Sequence, residues 1–204
     1  MLRRSASVLI AIGVAITFLL VPGAIAQAQT IPRVDVSSGW STHVQNIGST
    51  SSTKSTDLVS GSPVLNFTLG TTGRGLRLER VEATSVRITS DIPKILSSKS
   101  CPISLQGHVQ GIGWQNVSAS AGTTGRSLRL EAVRMWSSCP EVKIKYSAHV
   151  QSIGWMETKS SGQTAGTTGR GLGIEALRIS VELPDLRYVY DAVVRGDCKL
   201  AGTC

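Results

Sequence analysis

The amino-acid sequence predicts an all-β protein with a pseudo-threefold closed architecture, of the β-trefoil-like or β-prism-like type. Two sequence blocks recur three times in the same order, apolar residues alternate before the third copy, and no window beyond the N-terminus has a sustained helical apolar period. A copy of about 45 residues cannot bury its own apolar face, so three copies are expected to share one core. Closure removes exposed sheet edges, which favours it over a linear stack.

The two blocks keep their length in every copy, whereas the distance between them varies. The first block reads HVQNIG at 43–48, HVQGIG at 108–113 and HVQSIG at 149–154. The second block reads GTTGRGLRLE at 70–79, GTTGRSLRLE at 122–131 and GTTGRGLGIE at 166–175. Fixed blocks with variable connectors indicate strands and tight turns joined by surface loops.

Alternation between apolar and polar residues predicts a half-buried strand before the third histidine. Val142, Ile144, Tyr146, Ala148 and Val150 share one parity there. Beyond each GTTGR loop the alternation resumes but its parity slips. We therefore expect a β-bulge near Glu131 and Ala132, and another near Glu175 and Ala176.

These blocks resemble the ChW repeat, the clostridial hydrophobic repeat named for its tryptophan. The second and third copies fit closely, with Trp114 and Trp155 at the named position and Ala121 and Ala165 before the loop. The first copy departs from the pattern, with Ser49 in place of tryptophan, Leu69 in place of alanine and a serine- and threonine-rich insert over 49–62. The resemblance covers about residues 33–183 and implies a secreted or surface-associated protein that binds extracellular substrates or other proteins.

The N-terminal 28 residues are predicted to be a secretory signal peptide. Arg3 and Arg4 precede an apolar stretch over 8–21, which ends at Pro22 and Gly23 before small residues. That stretch is shorter than the roughly 20 residues of a membrane-spanning helix, so no stable membrane insertion is expected after cleavage. We divide the chain into the signal at 1–28, a repeat domain at 33–183 (copies at about 33–88, 103–136 and 142–183) and a tail at 184–204.

The net charge of the chain excludes few classes of binding partner. The formal net charge is +8, and removing Arg3 and Arg4 leaves +6, spread thinly. Weak affinity for anionic surfaces follows. A nucleic-acid partner is not expected, because aromatic residues are only 4% of the chain and the arginines are scattered.

Four cysteines in an exported chain favour disulfides over a metal site. Of the three possible connectivities, the simplest joins Cys101 to Cys139 around the middle copy and Cys198 to Cys204 in the tail. No pair has zinc-ligand spacing, so we expect neither a metal nor a cofactor.

A candidate ligand-binding face lies on the first block. If the strand after the histidine stays regular, histidine, glutamine and tryptophan share one face, as a sugar site requires: an indole for stacking and polar groups for hydroxyls. The candidate residues are His43, Gln45, His108, Gln110, Trp114, His149, Gln151 and Trp155. The alternatives are that Gly154 turns the tryptophan into the core, with Trp40 compensating in the first copy, and that the histidines are structural.

Other chemistries have weaker support in the sequence. Three histidines could meet at a zinc ion, but strand-end positions do not show that they converge. Turn and ion-pair roles are favoured for Arg74, Arg126 and Arg170 and for the three block glutamates, since the loops lack the lysine of a phosphate-binding loop. No catalytic residue is assigned, and the Arg-Gly-Asp tripeptide at 195–197 is interpreted as part of a solvated tail.

The sequence therefore predicts a secreted, non-catalytic module that binds extracellular carbohydrate, of cell-wall or plant type. The alternative is an extracellular protein-protein adhesion or scaffold module, in which the same faces meet a surface protein. An exposed aromatic groove would favour the first function, and a broad apolar patch would favour the second.

Overall fold

A computed structural model describes residues 34–58, 62–90 and 98–183, and these residues form an all-β structure. This confirms the predicted fold class. The predicted signal peptide, Cys198, Cys204 and the Arg-Gly-Asp tripeptide lie outside the described residues. The described residues include no helix that is long and apolar enough to cross a membrane.

The strands pair into three antiparallel sheets. The first sheet contains β1 (Val34–Val44), β2 (Gly48–Leu58), β4 (Leu78–Ala83), β5 (Val86–Ser90), β6 (Lys99–Cys101) and β9 (Ser120–Gly122). The second sheet contains β7 (Ile103–Val109), β8 (Gly113–Trp114), β10 (Leu130–Ser137) and β14 (Ala165–Gly166). The third sheet contains β3 (Val64–Gly70), β11 (Lys143–Val150), β12 (Gly154–Trp155), β13 (Lys159–Ser160) and β15 (Ile174–Glu182).

One shared apolar core holds the three copies together. The predicted alternation before the third histidine is confirmed, since Ile144, Tyr146 and Ala148 are buried along β11. Trp40 packs against Phe67, with ring centroids 6.2 Å apart, and both side chains are buried. Each such large apolar side chain contributes about 1.5–3 kcal/mol when it leaves water.

The insert of the first copy forms a strand, although variable connectors were predicted to be surface loops. Residues of β2 pair with β1 along its whole length, from Val44 opposite Gly48 to Val34 opposite Leu58. The Thr42 and Thr50 hydroxyls lie 3.0 Å apart across this pair. Threonine suits an extended backbone because its branched Cβ is compatible with a pleated strand, so a polar composition did not prevent strand formation.

A β-bulge falls on the glutamate of each copy, which confirms the two predicted bulges and adds a third. His43 pairs with Arg80 while Val44 pairs with Leu78, so Glu79 is left out of the ladder. Glu131 and Glu175 are left out in the same way opposite β7 and β11. Because the bulge reorients the residue, a glutamate at this position can reach the neighbouring strand.

The first glycine of each GTTGR loop packs against the bulge of another copy. The N–H groups of Thr71, Thr123 and Thr167 donate to the Glu175, Glu79 and Glu131 carbonyls, at 3.0, 2.7 and 2.9 Å. A Cβ on the preceding glycine, Gly70, Gly122 or Gly166, would lie only 2.3, 2.1 or 2.3 Å from the same carbonyl oxygen. The contacts therefore run from copy 1 to copy 3, from copy 2 to copy 1 and from copy 3 to copy 2.

Equivalent positions of the three copies also meet at one point. Arg77, Arg129 and Gly173 occupy the same place in the second block, and a Cβ on Gly173 would lie 3.3 Å from the Cβ atoms of both arginines. We call this meeting point the junction. The strand pairing itself does not show a closed trefoil or a prism, so the closed architecture stays a prediction.

The disulfide between Cys101 and Cys139 is confirmed, with the two Cα atoms 5.5 Å apart. It joins β6 in the first sheet to the segment after β10 in the second sheet, across a sequence separation of 38 residues. Closing such a loop stabilises a protein by roughly 2–4 kcal/mol, in part by restricting the unfolded chain.

Replacing Gly122 by alanine is expected to destabilise the protein by several kcal/mol. Its φ is 103°, and the added methyl would overlap the Glu79 carbonyl oxygen. Gly125→Ala is the matched control, because its φ is 71° with open space around the Cβ position, so only about 1–2 kcal/mol of backbone strain is expected. Urea unfolding measures both variants, and equal losses would contradict the close packing.

Candidate functional site

The first block of each copy folds as a β-hairpin rather than as a continuous strand. Ile47, Ile112 and Ile153 each donate a backbone N–H to the valine three residues earlier, at 3.1, 3.0 and 3.0 Å. The residue before each isoleucine has a positive φ of 60° at Asn46, 72° at Gly111 and 61° at Ser152. A positive φ at this position is the requirement of a type II turn.

This turn changes how the candidate residues meet. A regular strand would place histidine, glutamine and tryptophan on one face, but the chain reverses between them. Trp114 pairs directly across the hairpin with His108, and Trp155 with His149. The glutamines instead lie in the turn, where the backbone N–H groups of Gln45, Gln110 and Gln151 donate to the Arg77, Arg129 and Gly173 carbonyls at 3.0, 3.1 and 2.9 Å.

Trp114 and Trp155 each contact an imidazole and a guanidinium. The imidazole of His108 meets the Trp114 ring edge-on with centroids 5.4 Å apart, and His149 meets Trp155 at 5.2 Å. The Cζ atoms of Arg134 and Arg178 lie 4.2 and 4.0 Å from the centroids of the two indoles. These are cation–π distances. The tryptophans are half-buried at this site, so they are not core anchors of the kind that Trp40 is.

A buried glutamate holds each histidine from the other side. Glu131 Oε2 lies 3.1 Å from His108 Nδ1, and Glu175 Oε2 lies 3.0 Å from His149 Nδ1. The other oxygen of Glu131 accepts from Arg129 Nε at 2.9 Å. Both carboxylates are below a tenth exposed, at 5% and 7%. A carboxylate this buried requires polar partners, and Glu131 forms the ion pair predicted for the block glutamates with Arg129.

The first copy keeps the histidine and the glutamate but lacks the rest of the cluster. His43 Nε2 lies 3.8 Å from Glu79 Oε2, and Arg77 pairs with the same carboxylate at 3.5 Å. Ser49 takes the tryptophan position, 3.2 Å from His43 Nδ1. Glu82 stands where the other copies have the stacked arginine, and it pairs with Arg80 at 2.9 Å. Tryptophan and arginine are thus absent together, as expected of residues that depend on each other.

Trp40 does not compensate for the missing tryptophan. It lies three residues before His43, a position that Leu105 and Tyr146 fill in the other copies, and all three side chains are buried in the core.

The stacked arginines were not predicted, although the sequence contains a signal for them. Arg134 and Arg178 each follow the block glutamate by three residues.

A groove of about 430 Å³ lies beside Trp155. Trp155, Met156, Phe67 and Ile179 give it apolar walls, and hydroxyl, amide and cationic groups complete the lining: Asn66, Thr68, Lys145, Ser147, Thr158, Arg178 and Ser180. Asn66 and Thr68 belong to β3 of the first copy, so two copies build the groove. Tyr146 also lines the groove, and burial raises the pKa of its hydroxyl above the ordinary value, so the hydroxyl is neutral.

In the second copy the segment after β13 takes the place that β3 takes in the third copy. Gly162, at the position of Asn66, donates its N–H to the Met135 carbonyl at 2.8 Å. Thr164, at the position of Thr68, accepts from Arg134 Nε at 2.9 Å. Trp114 therefore has the same His and Arg neighbours as Trp155, but the side chain of Asn66 has no counterpart there and the arginine is held by Thr164.

The three histidines each face a glutamate of their own copy, which offers no support for a shared zinc ion. Among the described residues, the group of ligand-type atoms close enough to hold a metal is Cys101, Cys139 and Glu141. Both of its sulfur atoms are bonded in the disulfide and are not available as thiolates.

The described residues thus form an all-β repeat protein with a Glu–His–Trp–Arg cluster in two of its copies. Residues 108–137 and 149–182 match the family described as Clostridial hydrophobic W. The match supports the ChW resemblance for the second and third copies, and the first copy lies outside it. Comparisons with curated proteins and with solved structures found no match.

Trp155 and Arg178 are expected to stabilise each other by about 0.5–1 kcal/mol, the range of an exposed cation–π contact. A double-mutant cycle with Trp155→Ala and Arg178→Met, followed by urea unfolding, measures this coupling. Arg87→Met is the matched control, because Arg87 lies on β5, away from the cluster, and its cycle with Trp155→Ala should give no coupling. Equal coupling in the two cycles would contradict the stacked geometry.

Proposed function

We propose that the protein is a secreted, non-catalytic module that binds extracellular carbohydrate in the groove beside Trp155. The observation that carries this proposal is the half-exposed indole on one wall of a groove that hydroxyl, amide and cationic side chains also line. Sugar rings combine C–H faces that pack on an indole with hydroxyls that exchange hydrogen bonds. Secretion is supported by the apolar N-terminal segment and by the Cys101–Cys139 disulfide, which persists in oxidising compartments.

The third copy is the proposed site, rather than all three copies. In the second copy Gly162 stands at the position of Asn66 and Arg134 is bonded to Thr164, and in the first copy Ser49 replaces the tryptophan. The histidines act as supports, since each holds an indole edge and is itself held by a buried glutamate. The block glutamates face these histidines rather than the groove, so the proposal gives them no role in ligand contact.

We also propose that the first copy is a third, diverged ChW repeat and that the copies close around a pseudo-threefold axis. Its bulged glutamate and its docked glycine are the same as in the other two copies. The cyclic order of the glycine contacts and the meeting of Arg77, Arg129 and Gly173 support closure. Trefoil-like and prism-like arrangements both accommodate these contacts.

The Trp155→Ala variant is expected to lose at least about tenfold in affinity for an insoluble polysaccharide, which corresponds to about 1.4 kcal/mol. Pull-down with cellulose, chitin, xylan and peptidoglycan provides the measurement. Trp114→Ala is the matched control: it removes the same indole from the same kind of cluster but leaves the groove intact. Unfolding curves of both variants establish that they are folded.

No binding of the wild-type protein to any of the four polymers would contradict the proposal. Equal losses in the two folded variants would contradict the choice of the third copy. The first of these outcomes would favour the alternative function, an adhesion or scaffold module that binds a surface protein.

A further inference from the structure

Threefold repetition within one chain shows which positions are maintained, and most of these positions have a structural role. The valines after His43, His108 and His149 are buried, the histidines contact the glutamates, and the first loop glycines pack on a carbonyl. The isoleucines of the hairpin turns are different, because Ile47, Ile112 and Ile153 are 40%, 44% and 42% exposed. Arg74, Arg126 and Arg170 are exposed as well, as is the second threonine of each loop.

The three arginines have no ion-pair or hydrogen-bond partner among the described residues, which differs from the ion-pair role expected from the sequence. Each block glutamate lies against the histidine of its own copy. In the first two copies it also pairs with Arg77 or Arg129, and not with the arginine of the loop. The fold therefore does not account for an arginine, or for an exposed isoleucine, that recurs at the same place three times.

The isoleucine turns and the arginine loops lie at the same end of the three copies. Each turn is hydrogen-bonded to Arg77, Arg129 or Gly173, the three residues that meet at the junction. The GTTGR loops lead directly into these residues, and the Ser127 carbonyl in one loop accepts from Arg77 at 2.9 Å. We name this surface the junction face and define it as turns 45–47, 110–112 and 151–153 with loops 71–76, 123–128 and 167–172.

Exposed charge on the junction face is entirely positive. Its turns and loops contain no aspartate or glutamate, and the nearest block glutamates, Glu79, Glu131 and Glu175, are buried and paired. A second copy of the chain docked face to face would bring like charges together, which is unfavourable. The complementary partner is anionic, and it must also accept three isoleucine side chains.

We propose that the junction face docks on an anionic lipid surface, with the isoleucines entering the outer acyl region and the arginines contacting lipid phosphates. The isoleucines project from three separate turns, and a fluid bilayer accepts separate apolar side chains without a matching pocket for each. Cations around shallowly inserted apolar residues are the usual composition of such surfaces. This docking is peripheral and reversible, and it differs from the insertion of a spanning segment.

Co-sedimentation with phosphatidylglycerol/phosphatidylcholine vesicles and with pure phosphatidylcholine vesicles tests the proposal. We expect binding to the anionic vesicles, weaker at high salt, and little binding to the neutral ones. All variants carry the same N-terminus, so any contribution of segment 8–21 is equal among them. No binding to the anionic vesicles would overturn the proposal.

Charge and apolar contributions are then separated by two pairs of variants. Arg126→Ala/Arg170→Ala should weaken binding about 25-fold, at roughly a factor of five for each arginine near the surface. The control, Arg87→Ala/Lys143→Ala, removes equal charge far from the junction face: Arg87 pairs with Ser37, six residues before His43, and Lys143 begins β11. Equal losses of vesicle binding in the two double variants would show that net charge alone explains the effect, and would overturn the proposal.

Ile112→Ser/Ile153→Ser should weaken vesicle binding at least about tenfold. Both isoleucine side chains are partly exposed before docking, and the serine variants cannot bury an apolar side chain in the acyl region. The control is Val64→Ser/Val117→Ser, because these valines are 45% and 50% exposed outside the junction face. Retained binding in the isoleucine variant, together with equal binding to soluble polyphosphate, would assign the arginines to a polyanion and overturn the membrane proposal.

Discussion

The contact between the first loop glycine and the bulged glutamate of another copy is the constraint on which the rest of the structure depends. The glycine must approach a carbonyl oxygen so closely that a Cβ atom would lie about 2 Å from it. At the bulge the glutamate carbonyl faces this glycine, and the next N–H of the loop donates to it. Because the same glutamate carries the side chain that holds the histidine, one residue joins the packing of the copies to the geometry of the Trp cluster.

Strands and bulges could be predicted from the sequence because their signals are local, and the disulfide could be predicted because Cys101 and Cys139 flank the middle copy. A period of two residues marks the strand before His149, and a slip in parity marks Glu131 and Glu175 as bulges. The strand formed by the insert could not be predicted in this way. Residues 49–58 are polar and resemble a loop in composition, and they become a strand because β1 offers a free edge along its whole length. Such pairing is a property of tertiary structure.

The structure places the predicted site residues in a different arrangement from the one expected of a regular strand. Histidine and tryptophan lie together, but across a hairpin rather than along one strand, and the glutamines take turn positions. The signal for the turn was present in Asn46 and in the glycines that follow each isoleucine, since these residues tolerate positive φ. The groove could not be predicted, because Asn66 and Thr68 come from a strand that precedes Trp155 by about 90 residues in the chain.

The three copies differ at the tryptophan, at the stacked arginine and in the space beside them. The second copy keeps its indole and arginine, but Thr164 of the third copy holds that arginine, whereas a polar-lined groove lies beside the indole of the third copy. The first copy has lost tryptophan and arginine while keeping the glutamate and glycine that hold the copies together. The residues that pack the copies together are therefore the same in all three copies. The stacked tryptophan and arginine are present in only two of them. By the same argument, an isoleucine and an arginine kept exposed in every copy indicate a function that needs the three copies at once.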